Sequence, residues 1–289
     1  MPKHYLVLAL GVVSVSFAAV FIRLAEAPPL VIAAYRLGLA SLVVVPAAWI
    51  RSPGEIHRLS GQDVLLALLS GFFLALHFGL WIASLSYTTV ASSVVLVTAN
   101  PIFVAVASRF LFHEKLGRQT IAGIIVCLFG AALIGYGDWR LGSRELLGDA
   151  LAFLGALAVA GYLLIGHRLR RTTGLLTYAS LVYVSAAVVL LLATLLSGHR
   201  LAGYSPTTYL MLLLLAVVPQ LMGHLSLLWA LRFVPATLVA VAVLGEPVGA
   251  TVLAFLVLHE APSPTTVIGG IVLLAGIFVA FRRAMPGPA

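Results

Sequence analysis

The sequence predicts an all-α membrane protein of ten transmembrane helices, arranged as two inverted repeats of five helices each. Three observations support this fold class: an apolar composition, a series of apolar runs of membrane-spanning length, and a repeat at a fixed offset. Of the 289 residues, 62% are hydrophobic and 9% are charged. A soluble domain carries about 25% charged residues. This chain therefore lacks the polar surface of a water-exposed fold, and its expected solvent is the lipid bilayer.

The apolar runs have lengths close to the ~20 residues that a helix needs to cross a bilayer. We expect ten spans, at residues 5–24, 29–50, 63–85, 88–111, 119–136, 147–166, 175–197, 207–230, 235–258 and 264–282. The connectors between them are short, and none is long enough for a soluble domain. Any activity must therefore lie among the helices.

Lysine and arginine are distributed unevenly over the connectors. If the N-terminus is inside, twelve of them fall on the cytoplasmic side and four, Arg23, Arg140, Arg144 and Arg200, fall outside. Because positive residues favour the cytoplasmic side, we expect a bacterial inner-membrane protein with both termini in the cytoplasm. The net charge of +8 is scattered in short clusters, which argues against a nucleic-acid partner.

The two halves of the chain match without gaps at an offset of 146 residues. Prolines, His-Glu dipeptides, threonines and glycines pair in this register: Pro101 with Pro247, His113-Glu114 with His259-Glu260, Thr120 with Thr266, Gly123 with Gly269, and Gly130 with Gly276. We place the first repeat at residues 1–140 and the second at 141–289. Since five spans is an odd number, the second repeat enters the membrane upside down. Inverted repeats of this kind are typical of transporters that work by alternating access around a site near the midplane.

Several of these segments resemble a known family. The segment WIASLSYTTVASS, which begins at Trp81, is followed by Asn100-Pro101 and His113-Glu114-Lys115. In the second half, WALRFVPA from Trp229 is followed by Glu246-Pro247 and His259-Glu260. Together they resemble the EamA repeat of the drug/metabolite transporter superfamily, over essentially the whole chain.

The resemblance implies ten helices around a central cavity lined by helices 1, 3, 4, 6, 8 and 9. It also implies export of a small metabolite, and the likeness is greatest to bacterial exporters of aromatic amino acids. Helices 5 and 10 would lie at the periphery and form a homodimer interface. Other amino acids, cationic drugs or nucleotide sugars are alternative cargoes. An intramembrane enzyme or a lipid-handling protein is the alternative of a different class.

Enzymatic and cofactor-dependent activities find little support in the sequence. No phosphate-binding G-x-x-x-x-G-K-[ST] loop and no metal-binding Cys/His pattern occurs, so we expect neither cofactor nor metal. A nucleophile with a recognisable base is also missing. We therefore expect a transporter and no catalytic residues.

Polar and aromatic side chains inside the spans are the candidates for substrate binding, because polar groups at membrane depth usually face a cavity or a partner. Seven residues form this set: Phe17, His77, Trp81, Asn100, Tyr162, His224 and Glu246. Glu246 is the only acidic residue that we expect deep in a span. In the functional interpretation, Glu246 exchanges a proton or binds a substrate ammonium. In the structural interpretation, its carboxyl stabilises the packing beside Pro247. Asn100 occupies the equivalent position in the first half, so the cavity is not chemically symmetric.

One face of the third span is polar and aromatic. Ser70, Leu74, His77, Trp81 and Ser84 recur at spacings of three and four residues, which places them on one side of a helix. This stripe predicts a cavity wall on which Trp81 stacks an aromatic substrate. The alternative places Trp81 in the aromatic belt at the membrane interface.

A proline inside a span removes a backbone hydrogen bond. We expect kinks or hinges at Pro101, Pro219 and Pro247, which either expose backbone to a ligand or only shape the packing. Arg36 lies about two turns inside the second span. Because the family resemblance makes that helix peripheral, we expect Arg36 to extend outward to the interface, with a substrate carboxylate as the alternative partner.

The paired glycines of the fifth and tenth spans lie seven residues apart, on one helix face. Gly123 and Gly130 in the first half match Gly269 and Gly276 in the second. Glycines permit close helix approach, so these faces predict a packing or dimer seam.

Overall fold

A computed structural model describes residues 3–111, 117–230 and 242–281. Every regular element in these ranges is helical. The α-helices are α1 Lys3–Ser16, α2 Ala18–Leu24, α3 Pro29–Arg51, α4 Gly61–Ser84, α5 Val90–Val97, α6 Asn100–Leu111, α7 Arg118–Leu141, α8 Ser143–Leu169, α9 Leu175–Leu196, α10 Pro206–Leu215, α11 Leu225–Ala230, α12 Gly245–Leu258 and α13 Pro264–Phe281. A π-helical segment, Ala216–His224, joins α10 to α11.

Eight helical stretches within the described ranges are long and apolar enough to cross a membrane, and α12 and α13 are two shorter apolar helices. The described helices follow the ten predicted apolar runs in order, which confirms the predicted fold class. His113-Glu114, Lys115 and the start of the predicted ninth span lie outside the described residues. Large apolar side chains such as Leu196 and Ile50 point away from the protein, as lipid-facing residues do.

Hydroxyl side chains fix where several spans begin. Ser60, Thr89 and Ser205 each stand just before a helix, and each side-chain oxygen accepts a hydrogen bond from a backbone N–H of the first turn at 3.1 Å. These caps satisfy donors that a helix start leaves without an intrahelical partner. Pro206 at the first position of α10 fits the same pattern, because proline has no N–H to satisfy.

Within the described ranges, three of the spans are interrupted partway along their length. The first span breaks at Phe17, between α1 and α2, and the fourth breaks at Thr98 and Ala99, just before Asn100-Pro101. The ninth has its turn at Leu244, just before α12 and Pro247. Thr98 and Leu244 are equivalent at the offset of 146 residues, so the two repeats break at the same place. Discontinuous helices are typical of transporter binding sites.

The glycine faces of α7 and α13 pack against each other within one chain. A β-carbon added to Gly130 would lie 2.5 Å from the backbone nitrogen of Leu273, and one added to Gly123 would lie 2.5 Å from that of Ala280. Only glycine permits this approach. The seam therefore joins the last helix of the first half to the last helix of the second, and these glycines are not available to a partner chain.

Candidate functional site

The centre of the bundle holds a buried arginine. Arg36 lies about two turns inside α3 and has 0% of its surface exposed. Its Nε donates a hydrogen bond to Oε1 of Gln220 at 2.9 Å, and its guanidinium carbon lies 4.1 Å from the ring centroid of Phe78. The expected outward extension of Arg36 is therefore wrong. The aromatic face and the amide hold the cation in the interior, so it cannot reach the interface.

Aromatic rings of α4 form one wall around this arginine. His77 and Trp81 stack with their ring centroids 6.0 Å apart and their planes 9° apart, and the Arg36 guanidinium lies 5.8 Å from the Trp81 ring. Trp81 is only 3% exposed, which excludes the interfacial aromatic belt. The stripe predicted on α4 thus faces the interior beside a cation.

His77 is oriented by the neighbouring helix α8. Its Nδ1 lies 2.9 Å from the carbonyl oxygen of Gly155. Because a carbonyl only accepts, Nδ1 carries the hydrogen in this contact. A β-carbon at Gly155 would meet Trp81 at 3.4 Å, so the glycine permits α8 to pack closely against the aromatic wall.

The π-helical segment positions the amide partner of Arg36. Pro219 lies inside this segment, where it cannot supply the N–H that an α-helix would use. The widened turn accommodates that loss, and Gln220, the next residue, is buried with its side chain directed at Arg36. π-segments inside α-helices are frequent at functional sites. The π-helical segment lies where a kink or hinge at Pro219 was expected, and it carries a residue of the cluster.

A carboxyl group lies near the arginine without forming a direct ion pair. Glu246 is in the first turn of α12 and is half-buried, and its charge interacts with that of Arg36. The one ion pair found within 4.0 Å among the described residues joins Arg23 to Glu260 instead. The interior thus presents a guanidinium and a carboxyl group that are not in direct contact. His224 contacts the edge of Phe78, with ring centroids 5.9 Å apart, so it borders the same cluster.

Four buried polar atoms around this cluster have no hydrogen-bond partner in the described part of the chain. They are both terminal nitrogens of Arg36, Nε1 of Trp81 and the hydroxyl of Tyr183. Three of the four can only donate. A buried donor without a partner costs free energy, and an unpaired buried cation costs several kcal/mol. The cluster is therefore complementary to a ligand that carries acceptor oxygens, above all a carboxylate.

Arg36, Phe78, Gln220 and Tyr183 are the members of this cluster that we did not place among the sequence candidates. The position of Arg36 well inside an apolar run was a signal in the sequence, but the short distance to the predicted span end favoured the interface. Phe78 and Tyr183 look like ordinary apolar packing in the sequence. Gln220 was recognisable as a polar residue inside a span, directly after a mid-helix proline.

Three of the sequence candidates contact residues other than Arg36. Tyr162 stacks on Tyr178 at 6.4 Å. Phe17 stacks on Phe21 at 5.6 Å beside the break in the first span. Asn100 donates from Nδ2 to the carbonyl of Val97 at 3.2 Å, which satisfies backbone freed at the break before Pro101. The contacts of all three are structural in this conformation, and their role in substrate binding stays a prediction.

The conformation described here closes the site. Arg36 has no exposed surface, and two small cavities lie elsewhere in the described chain: one at the Arg23 end of the bundle, between Ile32 and Leu85, and one between Phe103 and Phe153. A substrate of any size therefore reaches the guanidinium only after helices separate. His224 and Glu246, both half-buried, mark the less tightly closed part of the cluster.

A second group of buried carboxyls lies at the Arg23 end of the bundle. Asp138 near the end of α7 and Asp149 near the start of α8 are 1% and 5% exposed. Both aspartates lie near the ends of their spans, and both are more enclosed than Glu246, which is half-buried. Among the described residues, no group of three His, Cys, Asp or Glu side chains is arranged to hold a metal ion.

Comparison with known proteins agrees with this architecture. The model of the EamA-like transporter family matches the chain twice, over residues 2–136 and 146–282. The chain belongs to the EamA-like transporter family. It is a multi-pass membrane transporter, and the two EamA matches fall in its two halves.

Named relatives of this EamA protein are transporters. It is 27% identical over 283 residues to an uncharacterized transporter of Archaeoglobus fulgidus, covering 96% of both chains. It is 26% identical over 260 residues to a protein of Streptantibioticus cattleyicolor named as a probable terminal-alkyne amino-acid exporter, covering 86% of this chain and 83% of the relative. A solved crystal structure matches the fold with a TM-score of 0.68 at 18% identity, covering 96% of both chains.

Proposed function

We propose that this EamA protein exports α-amino acids, aromatic ones above all, by alternating access through the Arg36 cluster. The observation that carries the proposal is the fully buried guanidinium of Arg36, whose two terminal nitrogens are unpartnered in the described chain, beside an aromatic wall. Glu246 supplies an opposite charge nearby. An α-amino acid carries the complementary groups: a carboxylate, an ammonium and a side chain.

The guanidinium is suited to the substrate carboxylate. Arginine presents its donors in a planar fork that binds both oxygens of a carboxylate. Gln220 accepts the hydrogen bond from Nε and so fixes the plane of the guanidinium, which leaves the two terminal nitrogens for the ligand. Such a contact forms in a water-excluded interior, where a charged hydrogen bond contributes more than at the surface.

The carboxyl of Glu246 is suited to the substrate ammonium. Its separation from Arg36 is greater than that of an ion pair, so the two groups do not neutralise each other by direct contact. A ligand with both charges bridges them, whereas a ligand with one charge leaves the opposite group without a partner. This arrangement favours zwitterions over simple anions or amines.

The aromatic wall supports the preference for aromatic side chains. Phe78, Trp81 and His77 present adjacent rings on one helix face, and offset stacking or edge contacts with a substrate ring add about 0.5–1.5 kcal/mol beyond burial. The relative named as an amino-acid exporter supports the broader class, amino acids. The cationic-drug alternative would leave Arg36 without a partner.

Transport by the purified protein in liposomes tests this function. Liposomes loaded with unlabelled phenylalanine should accumulate labelled phenylalanine by exchange, and tryptophan and tyrosine should compete better than alanine or lysine. Empty liposomes are the control for passive leak. Exchange of quaternary amines or nucleotide sugars, with none of amino acids, would overturn the proposal and favour the alternative cargoes.

The placement in the membrane is part of the same proposal. The charge bias supports an inner-membrane protein with cytoplasmic termini, and the repeats at residues 1–140 and 141–289 then have opposite orientations. Reporter fusions after Ala289 and near Arg170 should be cytoplasmic, and fusions near Gly142 and Gly198 external. A homodimer would use the exposed outer faces of α7 and α13, where Ile125, Phe129 and Ile271 lie, since the glycine faces are already paired.

A further inference from the structure

The buried aspartates at the Arg23 end of the bundle share one hydroxyl group. The Oγ1 of Thr88 lies 3.0 Å from Oδ2 of Asp138 and 3.0 Å from Oδ1 of Asp149. Thr88 stands in the connector between α4 and α5, while the aspartates belong to α7 and α8. The contact therefore ties three segments of the bundle together.

Two full hydrogen bonds at this hydroxyl need one more hydrogen than two carboxylates and a hydroxyl provide, because the single hydroxyl hydrogen would otherwise be shared between both contacts. A threonine hydroxyl has a single hydrogen to donate. It serves one carboxylate, and the contact with the second carboxyl is then a hydrogen bond only if that carboxyl donates to the hydroxyl oxygen. A protonated carboxyl has the hydrogen that this contact requires.

The surroundings also oppose two negative charges. Oδ1 of Asp138 and Oδ2 of Asp149 are buried without a hydrogen-bond partner in the described part of the chain. No lysine, arginine or histidine nitrogen of the described residues lies within 4.0 Å of either carboxyl. Adjacent carboxyls in an enclosed site do not both ionise readily.

The other charged groups at this end of the bundle do not compensate the pair. On α8, Glu145 adds further negative potential at Asp149, and Arg144 donates to the carbonyl of Ser86 at 3.3 Å and lies over the Tyr87 ring. On α7, Arg140 lies over Tyr136.

The second half contributes an ion pair and hydroxyls at the same end. Glu260 is bound to Arg23 and to the backbone N–H of Val90. From α13, Thr265 contacts Gly137 and Thr266 contacts Ser92, which are neutral contacts.

We propose that Asp138, Asp149 and Thr88 form a binding site for one proton, and that the bound proton holds this end of the transporter closed. With the proton bound, the hydroxyl joins both carboxyls and clamps the connector at residues 85–89 to α7 and α8. When the proton leaves, two buried anions repel each other and the clamp opens. The neighbouring bonds of Arg144 to Ser86 and of Glu260 to Val90 belong to the same closed arrangement. Proton release would thus favour opening at the end that the charge bias predicts to be external.

Infrared spectroscopy of the purified full chain in lipid nanodiscs tests the bound proton. The wild-type protein at neutral pH should show a protonated-carboxyl carbonyl band equivalent to one proton from this site. The band should be lost in the double variant Asp138→Asn/Asp149→Asn, whose amides still hydrogen-bond, and retained in Glu145→Gln. Glu246→Gln identifies any contribution from the central site. A band unchanged by the double variant, or a site that is fully ionised and responds to sodium, would overturn the proposal.

Thiol labelling from outside tests the closure. In a Cys127→Ser background, Leu85→Cys reports on a side chain that is 1% exposed at this end, and Ser86→Cys is an exposed neighbour that reports the intrinsic reactivity at each pH. The ratio of the labelling rate at Leu85→Cys to that at Ser86→Cys should rise several-fold as pH is raised above neutral. In the double Asn variant the ratio should stay constant. A ratio that is independent of pH in the otherwise wild-type protein would refute the gating role, whatever the infrared result.

Discussion

Replacing Arg36 with methionine should abolish transport while leaving the fold about as stable as before. The guanidinium donates one hydrogen bond to Gln220, worth about 1.5–3 kcal/mol for a charged group. Its contact with Phe78 is worth about 2 kcal/mol in a desolvated site. Against these, an unpaired buried cation costs several kcal/mol. Methionine fills a similar volume without charge, so we expect a free energy of unfolding within about 2 kcal/mol of the wild type.

The effect on transport should be much larger. Removing one partner of a buried charge pair costs about 3–5 kcal/mol. At 1.4 kcal/mol for each factor of ten, apparent affinity for phenylalanine should fall by roughly a hundredfold to several thousandfold. Arg36→Lys keeps the charge but loses the planar fork, and it should retain part of the activity.

Exchange of labelled phenylalanine in liposomes and thermal unfolding in detergent should be measured on the same preparations. Arg51→Met is the matched control, because Arg51 ends the same helix and is exposed. The control should transport and unfold like the wild type. If Arg36→Met transports at the wild-type rate, or if its loss of transport is accompanied by a loss of stability well above 2 kcal/mol, the reasoning about a carboxylate-binding arginine is refuted.

Three further substitutions separate the other parts of the account. Glu246→Gln should lower the exchange of phenylalanine about 10–100-fold, because it removes a charged hydrogen bond worth about 1.5–3 kcal/mol, and the protein should still fold. Exchange at the wild-type rate would show that the carboxyl has a structural role. Trp81→Leu should weaken the exchange of aromatic amino acids about fivefold more than that of aliphatic ones, because about 1 kcal/mol of stacking is lost. Equal losses for both classes would show that Trp81 does not contact the substrate. Burial raises the pKa of Glu55, but hydrogen bonds from Thr177 and the backbone N–H of Gly174 outweigh it and leave the pKa below its usual value. This carboxylate therefore stabilises the fold at pH values above the pKa it has in the unfolded chain, and the stabilisation is lost as pH falls through its lower folded-state pKa. The Glu55→Gln variant should therefore unfold a few degrees earlier than the wild type at neutral pH. It should also lose less stability than the wild type on acidification, as measured by thermal scans from neutral to acid pH.

Much of the architecture follows from the sequence because the bilayer restricts what an apolar chain can do. Apolar runs of spanning length leave helices as the only way to satisfy the backbone, and the paired glycines at the offset of 146 residues indicated a close seam. The breaks near Pro101 and Pro247 and the irregularity at Pro219 also follow from chemistry, because proline lacks the donor that a regular helix needs.

The centre of the site was harder to predict because it depends on helix rotation. A sequence shows that Arg36 lies two turns from a span end, but not which way the side chain turns. Stacking on Phe78 and a bond to Gln220, 184 residues away in sequence, decide that direction. The Asp138–Asp149 pair was missed for a related reason: both residues lie near predicted span ends, where exposed carboxyls are common, and only the packing of α7, α8 and the Thr88 connector encloses them.

The most direct test of the account is competition against labelled phenylalanine exchange by two analogues that each lack one charged group. Phenethylamine keeps the ring and ammonium but has no carboxylate, and phenylpropionate keeps the ring and carboxylate but has no ammonium. If Arg36 and Glu246 together recognise a zwitterion, both analogues should compete at least tenfold more weakly than phenylalanine, since each loses a charged hydrogen bond of about 1.5–3 kcal/mol. Competition by either analogue as strong as that of phenylalanine itself would contradict the central claim.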